Sequence, residues 1–387
     1  MSKKVLMATS NFFTSVLQVG SHHYARAFEK LGYEVLYISH PITPFHKFTK
    51  NNEELKERER IYAAGGKKVG NIIYYVPKSL IAPYKKFPFS TNFVMNNWFY
   101  FTFPNIVKYI KKLGFDNVDI LWFDNSTFWF LLNYIDYKKS ILRLADYSRG
   151  FDNISESKFL KELYIAQKAD LIVYTAKNII KKYGFSKEIL SKSLYVPNGI
   201  DWNFFEKADK SLPKEFKIIP SPRIIYIGSI ENWFDTDLLY YSAVRLPKFN
   251  FIIIGPERKN LDKLRKLKNI YILGSKPHKE IPKYLHHSDA GIIPFDIKNY
   301  KELIDSVNPI KLYEYMACGL PVVSVEWEEL KNINSPAYLS KTKEDFVKNV
   351  ILALKEKEKR KKEFIEFAKK NDWKEKLIKI LTHLKLN

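Results

Sequence analysis

Short apolar runs alternate along this chain with longer stretches in which apolar side chains recur at every third or fourth position. "KVLMATS" at 4–10 reads as a buried strand, and "GSHHYARAFEKLGYEV" from Gly20 as a helix that turns Tyr24, Ala27, Phe28 and Leu31 inward and is closed by Gly32. "EVLYISH" follows as the next strand. Connections this short between strand, helix and strand make the two strands parallel neighbours joined by a right-handed crossover, the opening of a doubly wound sheet.

The alternation continues through "NIIYYV", a helix near 103–113, "VDILWFD", "KSILRLAD", helices near 155–168 and 176–183, and the strands "DLIVYT" and "SLYVP". A second cycle begins at "PRIIYIGS" and runs through helices near 235–245, 257–267 and 279–287, interleaved with "FNFIIIG", "NIYILGS", "AGIIPF" and "LPVVSV". Between the cycles, 197–222 is rich in Pro, Lys and turn formers and poor in periodicity, so a domain boundary is expected there. The pattern predicts an α/β protein with two Rossmann-like doubly wound domains, 1–197 and 198–370, facing a cleft at the carboxyl ends of their strands. The stretch 343–385 is helical and charged, with Trp373, Leu377, Ile380, Leu381 and Leu384 as a packing stripe. No repeat of solenoid period is visible.

Composition sharpens this picture. At 387 residues the chain exceeds one hydrophobic core, and 64 Lys plus Arg against 42 Asp plus Glu give a formal charge of +22, which favours anionic partners. Cys318 is the single cysteine, so neither an internal disulfide nor a cysteine zinc cluster can form, and a reducing, cytoplasmic setting is expected. The opening "MSKKVLMATSNFF" lacks a long apolar core and a small-residue cleavage site, so no secretory signal is expected. The most apolar window, "FVMNNWFYFTFPNIV" at 93–107, is broken by asparagines and Pro104 and falls short of the about 20 residues that span a bilayer.

The most informative stretch is "NPIKLYEYMACGLPVVS" at 308–324. Asn308 suits an N-cap and Pro309 the first helical position, which would aim free backbone N–H groups and the positive helix end at a ligand. Lys311 in the first turn opposes the helix dipole, which makes sense if an anion lies opposite it. Glu314, three residues on, lies on nearly the same face and can accept hydrogen bonds from vicinal hydroxyls. A diphosphate beside a ribose presents that pattern. The plainer reading is a surface ion pair worth a few tenths of a kcal/mol.

On these residues, "PIKLYEYMACGLPVVS" resembles the nucleotide-binding motif of GT-B fold glycosyltransferases, and "VPNGID" at 196–201 the segment that leads into their second domain. The terminal "NDWKEKLIKILTHL" is similar to the helix, here 371–387, that crosses back to the N-terminal domain in that fold. "VGSHHYARAFEKLGYEVLYISHPITPFHKF" resembles more narrowly the xanthan-pathway glucuronosyltransferases (GumK and relatives). The resemblance implies that Lys311 meets the diphosphate of a nucleotide-sugar donor, most simply a UDP-sugar, and that Glu314 meets the ribose. It further implies that Gly228 lets backbone approach the phosphates and that "GSKPH" at 274–278, with Lys276, lies beside the base. Retaining members carry a second carboxylate eight residues before the ribose-binding one, where this chain has Ser306, and basic residues after the "YIGS" strand, where it has "IENWFD". An inverting transfer is therefore expected.

Inversion needs a base on the acceptor side. Asp146 is the first candidate, because it follows the apolar strand "SILRLA" and opens the loop "DYSRGFD"; the alternative is a turn cap or an ion pair with Arg143 or Arg149. Asp124 shares the strand-end placement, with helix capping as its plainer role. His22 and His23 open the first helix and are candidates for contact with donor or acceptor, or for capping. Glu231 and Asp235 follow Gly228 as further donor-side candidates, although a carboxylate at a helix start is common for dipole reasons alone. "DTD" at 235–237 begins a helix instead of ending a strand pair, and the histidines 278, 286 and 287 have no companion carboxylate at ligand spacing, so no metal is expected.

Residues 77–112 hold six lysines, ten aromatics and no acid, a mixture suited to an anionic membrane surface and hence to a lipid-linked acceptor; the alternative is rings in the core with a solvated lysine rim. A glycan acceptor and a peripheral position at the inner face of the cell membrane complete the expectation. Two rival functions remain: a basic nucleic-acid-binding protein, for which no recognition motif is visible, and a sugar-nucleotide epimerase or phosphorylase on the same fold.

Overall fold

A computed structural model describes residues 3–15, 17–48, 52–151 and 154–386. The N-terminal unit contains strands β1 (Lys4–Ala8), β2 (Glu34–Ile38), β3 (Lys67–Val69), β4 (Ile72–Tyr75), β5 (Lys78–Ser79), β6 (Thr102–Phe103), β7 (Asn117–Phe123), β8 (Asp136–Leu144), β9 (Leu171–Tyr174) and β10 (Ser193–Tyr195). Eight of them form one sheet in the order β10-β9-β8-β7-β1-β2-β4-β3. All its pairings are parallel except that of β3 with β4. The reason is local. The central strands are near-continuous apolar runs buried on both faces, as a helix-covered parallel sheet requires, whereas β3 is "KKV", fully exposed, and closes the edge with charge. β5 and β6 pair separately as a short antiparallel ribbon.

The C-terminal unit has β11 (Arg223–Ile227), β12 (Asn250–Ile254), β13 (Ile270–Ile272), β14 (Ala290–Ile293), β15 (Val322–Val325) and β16 (Tyr338–Ser340), all parallel, in the order β13-β12-β11-β14-β15-β16. Strand order reverses between β11 and β14, and the carboxyl ends of that pair are where a doubly wound sheet binds ligand. The helix expected over 257–267 is reduced to Asp262–Arg265, and that expected over 279–287 is a 3-10 turn, His278–Glu280, followed by Ile281–His286. β16, too short to show a period, escapes sequence reading.

The chain divides into compact units after Val196, and the second runs from Pro197 to Lys376. The charged tail is two helices, Lys343–Lys369 and Trp373–His383, and from Leu377 onward it belongs to the first unit. The break between the two helices is held by "VPNGID": Ile200 N–H donates to Asn371 O (3.0 Å), Trp373 N–H to Ile200 O (2.9 Å), and Trp202 N–H to the Asp372 carboxylate (3.0 Å). Gly199 is required there, because a Cβ would lie 2.3 Å from Asn371 O. Among the described residues no helix is long and apolar enough to cross a membrane.

Candidate functional site

The helix Ile310–Ala317 starts one residue later than the sequence suggests, with Pro309 as N-cap in extended conformation and no side chain capping the end. Asn308 cannot cap because its side chain is spent inside the fold. Its Oδ1 accepts from Tyr313 Oη (3.0 Å) and Asn198 N–H (3.2 Å), its Nδ2 donates to Glu329 (3.1 Å), and its carbonyl accepts from Asn198 Nδ2 (2.7 Å). The asparagine of "VPNGID" and that of "NPIKLYEYM" are thus one buried knot, which fixes where the helix begins.

Lys311 extends from the first turn to the switch point. Its ammonium is 5.4 Å from the centre of the Tyr226 ring, at the end of β11, and 4.9 Å from that of Phe295, just past β14. A Cβ on Gly228 would meet its Cε at 3.2 Å and its Nζ at 3.4 Å and crowd the lysine tip, and the backbone there (φ 150°) is one that favours glycine. Behind Gly228 the backbone packs more tightly still: a Cβ on Gly255 (φ 150°) would stand 1.9 Å from Gly228 O. Tyr226 Oη donates to Ser229 O (2.8 Å), and Ile227 N–H donates to Tyr315 Oη (2.7 Å), which joins the helix to β11. Among the described residues the Lys311 ammonium has neither hydrogen bond nor ion pair. Burial pushes its pKa down to about 8, and the Glu314 carboxylate opposes that shift. A cation held against two aromatic faces, with no ion pair or hydrogen bond of its own among the described residues, has the capacity to take an anionic ligand.

Glu314 is buried one turn on, and its Oε1 lies 3.3 Å from His278 Nε2. The His278 ring stacks on Phe204 at 4.9 Å and 15°. Sequence reading left this histidine without a companion carboxylate; the fold supplies one across 36 positions. Glu231 accepts from Ser229 Oγ (2.6 Å) and pairs with Arg258 (3.1 Å). Lys276 is committed to Glu215 (2.6 Å), whose other oxygen accepts from Tyr284 Oη (3.0 Å). Ser306 is fully buried and donates to Leu303 O (2.9 Å), so no carboxylate stands at that position. Asp235 caps the helix Thr236–Arg245 and Asp237 pairs with Lys263, which accounts for "DTD". Among the described residues no three His, Cys, Asp or Glu side chains gather as a metal ion needs.

In the N-terminal unit the carboxyl ends of β7 and β8 place Asp124 and Asp146. Asp124 is not a helix cap, as the sequence suggested: Asn125 takes that role, and Asp124 instead accepts from Arg143 Nη1 (3.1 Å) and Trp122 Nε1 (3.0 Å) in a buried pair. Gly20 makes room for that guanidinium, since a Cβ would lie 2.3 Å from Arg143 Nη2. Arg149 is bound by Glu156 at 2.6 Å. Both arginines expected to neutralise Asp146 are therefore occupied elsewhere, and Asp146 has no hydrogen bond among the described residues. Burial raises its carboxyl pKa to about 6, with Arg143 opposing. Residues 152–153, at the far end of its loop, lie outside the described residues.

His22 is a helix-start residue with both ring nitrogens engaged: Nδ1 accepts from Val19 N–H (3.0 Å) and Nε2 donates to Phe12 O (2.9 Å). That fixes a neutral tautomer and holds the loop after β1, leaving no nitrogen for a substrate. His23 is buried beside it.

Comparison with known proteins fits this geometry. Residues 209–371 match the family described as "Glycosyl transferases group 1". A putative teichuronic acid biosynthesis glycosyltransferase, TuaH of Bacillus subtilis (strain 168), is 30% identical over 185 residues, a match that spans 45% of this chain and 45% of that relative. Among solved structures, sucrose-phosphate synthase from Thermosynechococcus elongatus aligns with a TM-score of 0.70 at 11% identity, covering 99% of this chain and 98% of that one. Anabaena HepE in complex with UDP and glucose aligns at 0.64 and 12% identity, covering 99% of each. At such identities the structural likenesses speak for the fold, which is GT-B.

Proposed function

We propose, from the premise that residues 209–371 are a glycosyl transferases group 1 domain, that this chain moves a sugar from a nucleoside diphosphate to a hydroxyl of a glycan or lipid-linked acceptor. The observation that carries the reading is Lys311: an ammonium with neither ion pair nor hydrogen bond among the described residues, held beside Gly228 at the β11/β14 switch point. In this reading the diphosphate lies on that ammonium and on the N–H groups that open the helix Ile310–Ala317, and the ribose hydroxyls donate to Glu314. UDP is the nucleotide to test first, because a solved GT-B neighbour is described in complex with UDP-glucose. The likeness of the opening residues to xanthan-pathway enzymes makes a hexose or hexuronic acid the sugar to test first.

Chemistry then follows a single displacement. The acceptor oxygen attacks the anomeric carbon, the bond to the diphosphate oxygen breaks, and the proton of the acceptor hydroxyl passes to Asp146. Lys311 stabilises the negative charge that grows on the leaving group, so no metal ion is required for that task. The serine at 306 supports inversion, since no carboxylate stands there to serve a retaining route. The single, buried Cys318 supports a cytoplasmic setting.

The test is thermal stabilisation of the whole chain by UDP, GDP, ADP and their sugars, followed by product analysis. We expect UDP and a UDP-sugar to raise the melting temperature, and an acceptor to accelerate UDP release. Stabilisation by no nucleotide would overturn the reading, and a sugar altered without any acceptor would make the protein an epimerase.

A further inference from the structure

The ten aromatics of 77–112 split into two populations. Trp98 and Phe99 are buried; Trp98 Nε1 donates to Thr127 O (3.0 Å), and Phe99 stacks on Phe130 at 4.1 Å. Against that anchored layer stand rings turned outward: Phe87 is 84% exposed, Phe93 65%, and Tyr84, Tyr100 and Phe103 56% each. Their exposure is built in by backbone bonding. Tyr84 N–H donates to Phe89 O (3.1 Å), Ser90 N–H to Lys86 O (3.1 Å), and Thr91 Oγ1 to Pro88 O (2.8 Å), so the 84–91 loop is closed on itself with Phe87 at its tip. The ribbon of β5 and β6 sets Phe103, 56% exposed, opposite Lys78 and is continued by the bond from Leu80 N–H to Phe101 O (3.1 Å), with Leu80 52% exposed. Phe45 packs on Phe89 at 5.0 Å and extends the strip.

Charge decides what covers this strip. Between Glu59 and Asp116 the sequence has no acidic residue but nine lysines and arginines. Lys85, Lys86, Lys108, Lys111 and Lys112 are all exposed, and none pairs with an acid among the described residues. A second copy of the chain would bring the same cations against them. An anionic bilayer surface accepts both features, with rings in the headgroup layer and ammonium groups on the phosphates.

We propose that the 80–103 segment of the N-terminal unit is a membrane-docking wedge for an anionic lipid surface, with Phe87 inserted at its tip and Lys85 and Lys86 on lipid phosphates. The inference stands apart from the catalytic reading, since it uses none of that site's residues.

The test is co-sedimentation of the full chain with vesicles of phosphatidylcholine alone or mixed with phosphatidylglycerol. Binding is expected only to the mixed vesicles. Phe87→Ser should lower the partition coefficient roughly tenfold, and the Lys85→Gln, Lys86→Gln pair about 25-fold, at about fivefold per lysine. Both variants should keep any UDP-induced stabilisation, which separates failure here from failure of the donor site. An environment-sensitive dye on Phe87→Cys should shift to the blue on mixed vesicles, and the same dye on the exposed Val244→Cys should not. Equal binding to both vesicle types, no binding at all, an unshifted dye at 87, or self-association of the chain through this strip would overturn the proposal.

Discussion

Replacing Lys311 with methionine should make the free protein more stable and the donor complex weaker. The side chain becomes one atom shorter, stays unbranched and able to reach Gly228 with its terminal methyl, and loses its charge. Holding the ammonium in its apolar surroundings lowers its pKa from 10.5 to about 8, a penalty of roughly 3 kcal/mol at neutral pH. The Tyr226 and Phe295 faces return about 0.5–1 kcal/mol each. The net gain of Lys311→Met is then about 1–2 kcal/mol, or on the order of 2–8 °C in the melting temperature of a unit of this size. The sign with pH is fixed. A lysine whose folded pKa lies below its unfolded value makes the wild type gain stability as pH rises from about 8 to 10.5, so the advantage of the variant should shrink through that window. Charge-assisted bonds to the diphosphate should be worth about 1.5–3 kcal/mol, roughly 10- to 150-fold in affinity. At a UDP concentration of about 100 times the wild-type Kd, ligand stabilisation of about 2.7 kcal/mol would fall to about 0.4 kcal/mol for a hundredfold loss. Scanning fluorimetry with and without UDP reads both effects on one plate. A variant that melts lower than wild type, or that keeps the full UDP shift, would refute the reasoning.

Asp146→Asn should abolish transfer while UDP still binds, and the wild-type kcat/KM should rise with pH along a limb inflecting near 6, as a base with a raised pKa requires; ordinary turnover by the variant would remove Asp146 from that role. Gly255→Ala should lose about 2 kcal/mol or more in denaturant unfolding, because its Cβ would collide with Gly228 O, and a neutral result would mean the two loops are free to part. Asn308→Ala should cost about 1–3 kcal/mol by taking one partner from the Asn198 N–H, the Tyr313 hydroxyl and the Glu329 carboxylate inside the fold, again read from denaturant unfolding. His278→Ala should weaken UDP binding less than Glu314→Ala does in calorimetry, since His278 touches the Glu314 carboxylate and in the proposed reading only that carboxylate meets the ribose.

Most of the architecture was legible because buried parallel strands announce themselves as short apolar runs. "FNFIIIG" and "LPVVSV" needed only their position between helices to be placed. What sequence reading missed was of two kinds. Short elements such as Tyr338–Ser340 carry too few residues to show a period. Pairings set by the tertiary fold leave no local trace: Arg143 turned to Asp124 and not to Asp146, Lys276 went to Glu215 across 61 positions, and Asn308 gave up its cap to join Asn198. The aromatic walls at Tyr226 and Phe295 belong with these, because their meeting at Lys311 depends on β11 and β14 being neighbours. His278 itself was weighed in the sequence only as a metal ligand, and its pairing with Glu314 leaves no local trace either.

The central claim is that a diphosphate rests on the Lys311 ammonium at the β11/β14 switch point. A crystal structure of the chain soaked with UDP tests it most directly. The account predicts phosphate oxygens within hydrogen-bonding distance of Lys311 Nζ and the opening N–H groups of the helix Ile310–Ala317, with the ribose on Glu314; UDP bound elsewhere, with Lys311 still bare, would contradict it.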